Sequence, residues 1–190
     1  DIMSKLNFPT PNLIKSGFER KNVAYNVIKE TDKTGKLIRL LKEEKGSSIV
    51  YVRNRRKTRE LSDILSQNQI SANYYHAGLD AKVRDERQKS WSSGQTRVIV
   101  STNAFGMGID KADVRLVVHY DLPDCIESYF QEAGRAGRDQ KPAAGILLYN
   151  ANDISNAKKK LLNSFPSLSL IKNIYNALGN YFQLPEGSGA

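Results

Sequence analysis

The chain has 190 residues, 39% hydrophobic and 26% charged, which fits a soluble globular protein with one sizeable domain and a small appendage. Its single cysteine, Cys125, excludes an internal disulfide and a cysteine-rich zinc site and fits a reducing, cytoplasmic compartment, and no apolar run approaches the ~20 residues of a membrane span. The formal charge of +9 favours a polyanionic partner, nucleic acid first and an anionic membrane second.

The start, Asp1-Ile2-Met3, has no signal-peptide character and reads as a position inside a longer protein. From there short β-branched runs alternate with amphipathic stretches. The runs Val23–Ile28, Ser48–Val52, Ala72–Tyr75, Val98–Ser101, Leu116–His119 and Gly145–Tyr149 predict strands. Several are continuously apolar, as in strands buried on both faces. Helices are predicted over Thr34–Lys45, Lys57–Gln67, Ala81–Trp91 and Ile126–Ala133. Leu37, Leu40 and Leu41, and again Leu61, Ile64 and Leu65, carry the 3–4 spacing. Gly46 stops the first helix, and Ser92-Ser93-Gly94 stops the third. The alternation predicts an α/β fold, a three-layer parallel sheet with helices on both faces. Ligands of such sheets gather at the carboxyl ends of the strands. Beyond Tyr149 the texture changes to a short helical extension. Asn152–Asn163 reads as a helix, and Leu168, Ile171, Ile174, Tyr175, Leu178, Tyr181 and Phe182 follow helical spacing. That stripe packs on the core or belongs to a further domain. Residues 184–190 read as linker.

The most informative run is Gln131-Glu132-Ala133-Gly134-Arg135-Ala136-Gly137-Arg138-Asp139. Arg135 and Arg138 stand at i and i+3, which share a face on a helix. Two guanidiniums on one face make a fork for phosphate oxygens. Two glycines in four residues cost about 1 kcal/mol each in a helix, so something other than helix stability is served. The plainer alternative is a basic turn closing a helix.

Two strings mislead. Asp85-Glu86-Arg87-Gln88 follows Ala81-Lys82-Val83-Arg84 inside a helical pattern, where a metal-binding acidic box follows an apolar strand. Gly35-Lys36 is followed by Leu37 and lacks the upstream glycine of a phosphate-binding loop. The chain therefore carries no Walker A motif and no Walker B acid.

Four segments combine in order: Ile49-Val50-Tyr51-Val52-Arg53-Asn54-Arg55; Tyr75-His76-Ala77-Gly78-Leu79 followed by Arg84 and Arg87; Val98 through Lys111; and Ser128-Tyr129-Phe130 leading into the 131–139 run. Their order and spacing resemble the second RecA-like lobe of superfamily 2 helicases, and their wording resembles the RecQ-like branch. Ser16 through Val23 is similar to the segment with which that family enters this lobe. The resemblance implies a linker over 1–15 from a first lobe outside this chain, the helicase lobe over 16–150, and a helical extension over 151–190. It implies an ATP-driven translocase that unwinds DNA from 3′ to 5′, with ATP and Mg2+ in the cleft between two lobes and the metal held by the other lobe. The expected partners are DNA and that first lobe, without a membrane.

Carried onto this sequence, the last motif supplies Arg135 and Arg138 to the triphosphate, with Arg138 as the finger nearest the γ-phosphate and Gln131 as a phosphate sensor. Gly108 and Asp110 are the nucleotide-side residues of the preceding motif. Some family members carry asparagine at Asp110's position, and a solvated loop acid is the plainer reading there. Thr102, with Ser101, ends a buried strand where a hydroxyl donates to a DNA phosphate, or caps a helix. Arg55 matches the basic residue of the first segment, but Asn54 stands where the family often has a small hydroxyl residue. His76 touches a phosphate or serves as a structural loop histidine. His119 has no obvious partner, and Glu132 reads as a helix-face acid. Many RecQ-like helicases continue into a helical module with four zinc-binding cysteines; residues 151–190 hold none, so either that module lies later or a helical segment without zinc replaces it, and no zinc is expected in this chain. Two competing readings remain: a nucleic-acid-binding α/β module with no nucleotide role, and an RNA motor of the DEAD-box kind. The latter usually begins the last motif with histidine, where this chain has Gln131.

Overall fold

A computed structural model describes residues 2–7, 19–106 and 109–182. Most of the expected entry linker, Gly108 and the last residues of the chain lie outside that set. Six strands, β1 (Val23–Lys29), β2 (Ser47–Tyr51), β3 (Ala72–Tyr75), β4 (Val98–Ser101), β5 (Val114–His119) and β6 (Ala143–Tyr149), form one sheet in the order β1-β6-β5-β2-β4-β3. Every pairing is parallel. The helices are α1 (Ile2–Lys5), α2 (Lys33–Glu43), α3 (Arg55–Gln67), α4 (Ala81–Ser92), α5 (Ile126–Ala133), α6 (Ala151–Ser164) and α7 (Leu168–Tyr181).

Alternate side chains of the central strands feed two separate cores. Val50, Val98, Val100, Leu116 and Val118 pack with Leu37 and Leu41 of α2 and Leu61 and Leu65 of α3. Ile49, Tyr51, Ile99 and Val117 pack with Trp91 of α4, Phe105 and Ala136 on the other face. Helices thus cover both faces, and the continuous apolar runs follow from that. The edge strand β1 is the exception, with Val27 64% exposed.

Several boundaries differ from expectation by one or two residues, and two of them have a local reason. Helix α3 begins at Arg55, not Lys57, because the Asn54 side chain accepts the Arg56 N–H at 2.8 Å. Strand β5 begins at Val114, not Leu116, because Val114 already pairs with Ser47 before a shift of register.

From β2 the chain winds outward to β3 and β4, then crosses to β5 on the other side of β2. The direction of winding therefore reverses between β2 and β5. In open parallel sheets the crevice outside such a switch is where ligands sit. Here it is bounded by Arg53 after β2 and by Tyr120 and Asp121 after β5.

The extension is tied to the lobe along α6, by contacts at its start and by Lys160, which donates to Asp124 Oδ1 at 2.6 Å. Asn150 and Asp153 form a reciprocal cap at the start of α6. Lys33, 6% exposed, donates to Tyr120 O at 2.6 Å and to Asp153 Oδ2 at 2.9 Å. Neither α6 nor α7 buries a residue, so the apolar stripe of α7 does not pack on the core. Lys33→Met keeps the stem and removes the charge, leaving Asp153 without its lysine. We expect a loss of about 2 kcal/mol in urea unfolding, the cost of stranding a partly buried charged hydrogen bond.

Candidate phosphate and nucleic-acid site

The arginine run departs from the helical fork read in the sequence. Helix α5 ends at Ala133, and residues 134–139 form turns, so Arg135 and Arg138 share no helix face. Gly137 takes a φ of +59°, which reverses the chain between the two arginines. Arg135 points inward: it is 8% exposed, and its Nη1 donates to Gly106 O at 2.6 Å. A Cβ on Gly106 would lie 2.5 Å from Arg135 Nη2, so any larger residue there requires the guanidinium to shift. Arg138 points outward. Its Nη1 donates to Asp110 Oδ1 at 2.8 Å and to Ile109 O at 3.2 Å. The arginines therefore grip the two ends of one loop, Gly106 at its start and Ile109–Asp110 at its end. Gln131 is exposed on α5, and Gly108 lies outside the described residues.

The turn is held from behind by residues to which the sequence reading gave no role. Arg20 donates to Ala136 O at 2.9 Å and Gly137 O at 2.7 Å, and Asn22 donates to Gly137 O at 2.7 Å and Lys141 O at 2.9 Å. Asp139 pairs with Arg115 at 2.6 Å, and that hydrogen bond holds its carboxyl below the usual range. No local signal ties residue 20 to residue 137; the only cue was that Arg20 and Asn22 sit in the segment resembling the family's entry into the lobe.

At the switch point lies a cavity of about 260 Å³ bordered by Arg53, Thr102, Asn103, His119, Ser128 and Glu132, among others. Ser101 does not reach it. Its side chain is buried, and its one hydroxyl hydrogen is shared between Tyr75 O at 2.8 Å and Thr102 O at 2.7 Å. The expectation that Ser101 meets a phosphate is corrected: as the last residue of β4 its side chain points into the sheet. Thr102 does border the cavity. Its Oγ1 accepts the Ala104 N–H at 3.4 Å, capping a turn and not a helix, which leaves the hydroxyl hydrogen to donate.

Arg55, Asn54 and His76 lie apart from this cavity. Asn54 Oδ1 is engaged as the cap of α3. Arg55 and His76 border a shallow groove with Arg56, Arg59 and Tyr74. Desolvation, then the charges of Arg55 and Arg87, push the His76 imidazole below its usual value. The positive charge along the groove therefore lies on the arginines. Arg53 is tied to Asp124, which also takes Lys160 at 2.6 Å; these two cations lower the Asp124 carboxyl to about 2.

One reading is overturned at the cavity wall. His119 has a partner: its Nε2 lies 2.8 Å from Glu132 Oε2, with side chains 1% and 14% exposed. Glu132 is on a face of helix α5, as read, but that face looks inward. Burial also pushes the neighbouring Tyr51 phenol well above its usual value, so it stays a neutral donor.

The chemistry of the exposed arginine fits a polyphosphate. Arg138 uses only Nη1 within the described residues, and its side chain is 37% exposed. Nε and Nη2 remain to meet phosphate oxygens. A metal has no comparable seat: among the described residues no three His, Cys, Asp or Glu side chains are grouped to hold one. Likewise no helix among them is long and apolar enough to cross a membrane.

Comparison with known proteins agrees with this geometry. Residues 32–140 match the family described as helicase conserved C-terminal domain. The chain is 40% identical over 163 residues to an ATP-dependent DNA helicase RecQ of Pasteurella multocida, covering 85% of this chain and 26% of that protein. It is 37% identical over 190 residues to a putative ATP-dependent DNA helicase Q1 of Caenorhabditis briggsae, covering 97% of this chain and 29% of that one. The chain thus spans under a third of these relatives' length. Among solved structures, the E. coli DEAD-box protein SrmB bound to regulator of ribonuclease activity A superposes with a TM-score of 0.63 at 31% identity, covering 70% of this chain and 81% of that one.

Proposed function

The chain belongs to the helicase conserved C-terminal domain family, in the RecQ-like branch of superfamily 2, and from that premise we propose that it is the second motor lobe of an ATP-dependent DNA helicase. The observation that carries the reading is the outward guanidinium of Arg138, held at the rim by one exposed carboxylate and with donors to spare. When bound between this lobe and a first lobe in cis, ATP supplies the phosphoryl group whose transfer drives the motor. Arg138 meets the γ-phosphate charge as it develops, and such an arginine is typically worth ~10³–10⁵ in rate. Asp110 releases Arg138 and turns to the nucleotide. Arg135 acts one step back: it fixes the loop that carries Gly108 and Asp110. Gln131, exposed one turn earlier, senses the phosphate. The Mg2+ that accompanies the nucleotide sits on the first lobe.

DNA is bound through its backbone at the carboxyl edge of the sheet. Thr102 donates its hydroxyl, and Arg55, with His76 and Asn54 beside it, meets phosphates along the groove. The names of the relatives favour DNA over RNA, while the resemblance to a DEAD-box protein keeps RNA as the comparison to run. The test uses the parent and this chain side by side. The parent hydrolyses ATP in response to single-stranded DNA more than to RNA of the same length. The 190-residue chain alone turns over no ATP above a buffer control, because it carries no Walker A loop. Turnover by the isolated chain, or a parent stimulated only by RNA, rejects the reading.

A further inference from the structure

Resting on the reading just given, we infer that Glu132 is a positioning residue: through His119 it fixes the turn that carries both arginines to the wall of the nucleic-acid cavity. The contacts close a ring. Glu132 Oε2 lies 2.8 Å from His119 Nε2. The imidazole stacks on Tyr51 with ring centres 5.3 Å apart and planes 25° from parallel. The Tyr51 hydroxyl donates to Phe105 O at 2.9 Å. The next carbonyl, Gly106 O, accepts from Arg135 at 2.6 Å, and Arg135 stands three residues after Glu132. Helix α5, strands β5 and β2 and the arginine-gripped loop are thereby joined.

The tautomer follows from the geometry. Among the described residues His119 Nδ1 is buried without a hydrogen-bond partner, while Nε2 faces Glu132 Oε2. Nε2 therefore carries the hydrogen that the carboxylate accepts. Glu132 therefore orients one tautomer and one ring angle.

Stability alone does not account for this arrangement. A carboxylate with one hydrogen-bond partner among the described residues, at a cavity wall and 14% exposed, is largely desolvated, and an apolar pair of similar volume would hold α5 to β5 at least as well. What the polar pair adds is an edge on the cavity. Glu132 and His119 border it beside Thr102, so a strand bound there touches the ring that also holds Arg135. Occupancy of the cavity and the aim of Arg138 are then set by one packed unit, and packed units shift between discrete positions more readily than they bend.

The experiment uses the full-length parent with Glu132→Ala and Glu132→Gln, measuring kcat and KM for ATP at saturating single-stranded DNA, and DNA affinity by anisotropy. In Glu132→Ala the DNA-stimulated kcat falls about tenfold, as small misplacements of catalytic groups do, while KM and DNA affinity stay within twofold. Glu132→Gln, whose amide oxygen accepts the same Nε2–H, recovers at least half of the lost kcat. A wild-type kcat in Glu132→Ala, a loss carried by KM, or no rescue by glutamine overturns the inference. Should the alanine variant not fold, Glu132→Asp, whose reach is one methylene short, is judged by the same kcat and KM criteria. A wild-type parent that DNA does not stimulate overturns the helicase reading itself, and this inference with it.

Discussion

Replacing Arg138 with alanine in the two-lobe parent lowers ATP turnover by about 10³-fold or more while leaving DNA affinity within twofold. The ion pair it makes here explains why folding is spared. Asp110 is 84% exposed and Arg138 37%, so the attraction between them is screened and contributes about 1 kcal/mol at most. A triphosphate, with several charges and better geometry for a fork, displaces such a partner readily. Arg135→Ala behaves differently. That guanidinium is buried against Gly106 O beside the Tyr51 ring, so its removal disturbs the loop and is felt in stability as well as in rate. The two arginines are separated by measuring steady-state turnover and thermal unfolding on both variants. An Arg138→Ala enzyme within threefold of wild type would move the phosphate contact to another residue.

Much of the fold was legible because its signals are local. The spans of β3, β4 and α5 were read with the bounds the structure has. Each is bracketed by residues whose backbone preferences are visible in sequence. Of the candidate site, the grouping was legible in outline, since the 131–139 run sets two arginines among glycines directly after a helix. The directions of its side chains were not. A helix over the run would place Arg135 and Arg138 together, but the chain turns at Gly134, and one arginine goes in while the other goes out. The long-range partners were also hidden: His119 with Glu132, Arg20 with Gly137 O, Lys33 with Asp153. Each polar residue reads alone as solvated, and only the sheet order β1-β6-β5-β2 brings it to its partner. Ser101 was misread for the related reason that the last residue of a strand has two faces to choose from, and the hydroxyl went to the buried one.

Gly137→Ala is expected to destabilise the chain by about 3 kcal/mol or more and to abolish turnover in the parent. Two separate costs add. A φ of +59° disfavours any residue with a Cβ by about 1–2 kcal/mol. The added methyl would also stand 2.6 Å from Asn22 Nδ2, 2.8 Å from Lys141 O and 2.9 Å from Ala143 Cβ. Two of those neighbours cannot step aside, being backbone and the first atom of a strand residue, and such overpacking costs about 1–3 kcal/mol more. The same move breaks the hydrogen bonds that Gly137 O accepts from Arg20 and Asn22, so the turn that aims Arg138 shifts with it. Gly94→Ala separates the two costs. Gly94 has a φ of +83° but, among the described residues, nothing within 4 Å of a built Cβ, so alanine there meets only the backbone penalty. Urea unfolding of both variants should place Gly94→Ala about 1–2 kcal/mol below wild type with turnover intact, and Gly137→Ala well below it. Equal losses would mean that the crowding behind the arginine turn relaxes, and that the turn is less rigidly held than its three backing residues imply.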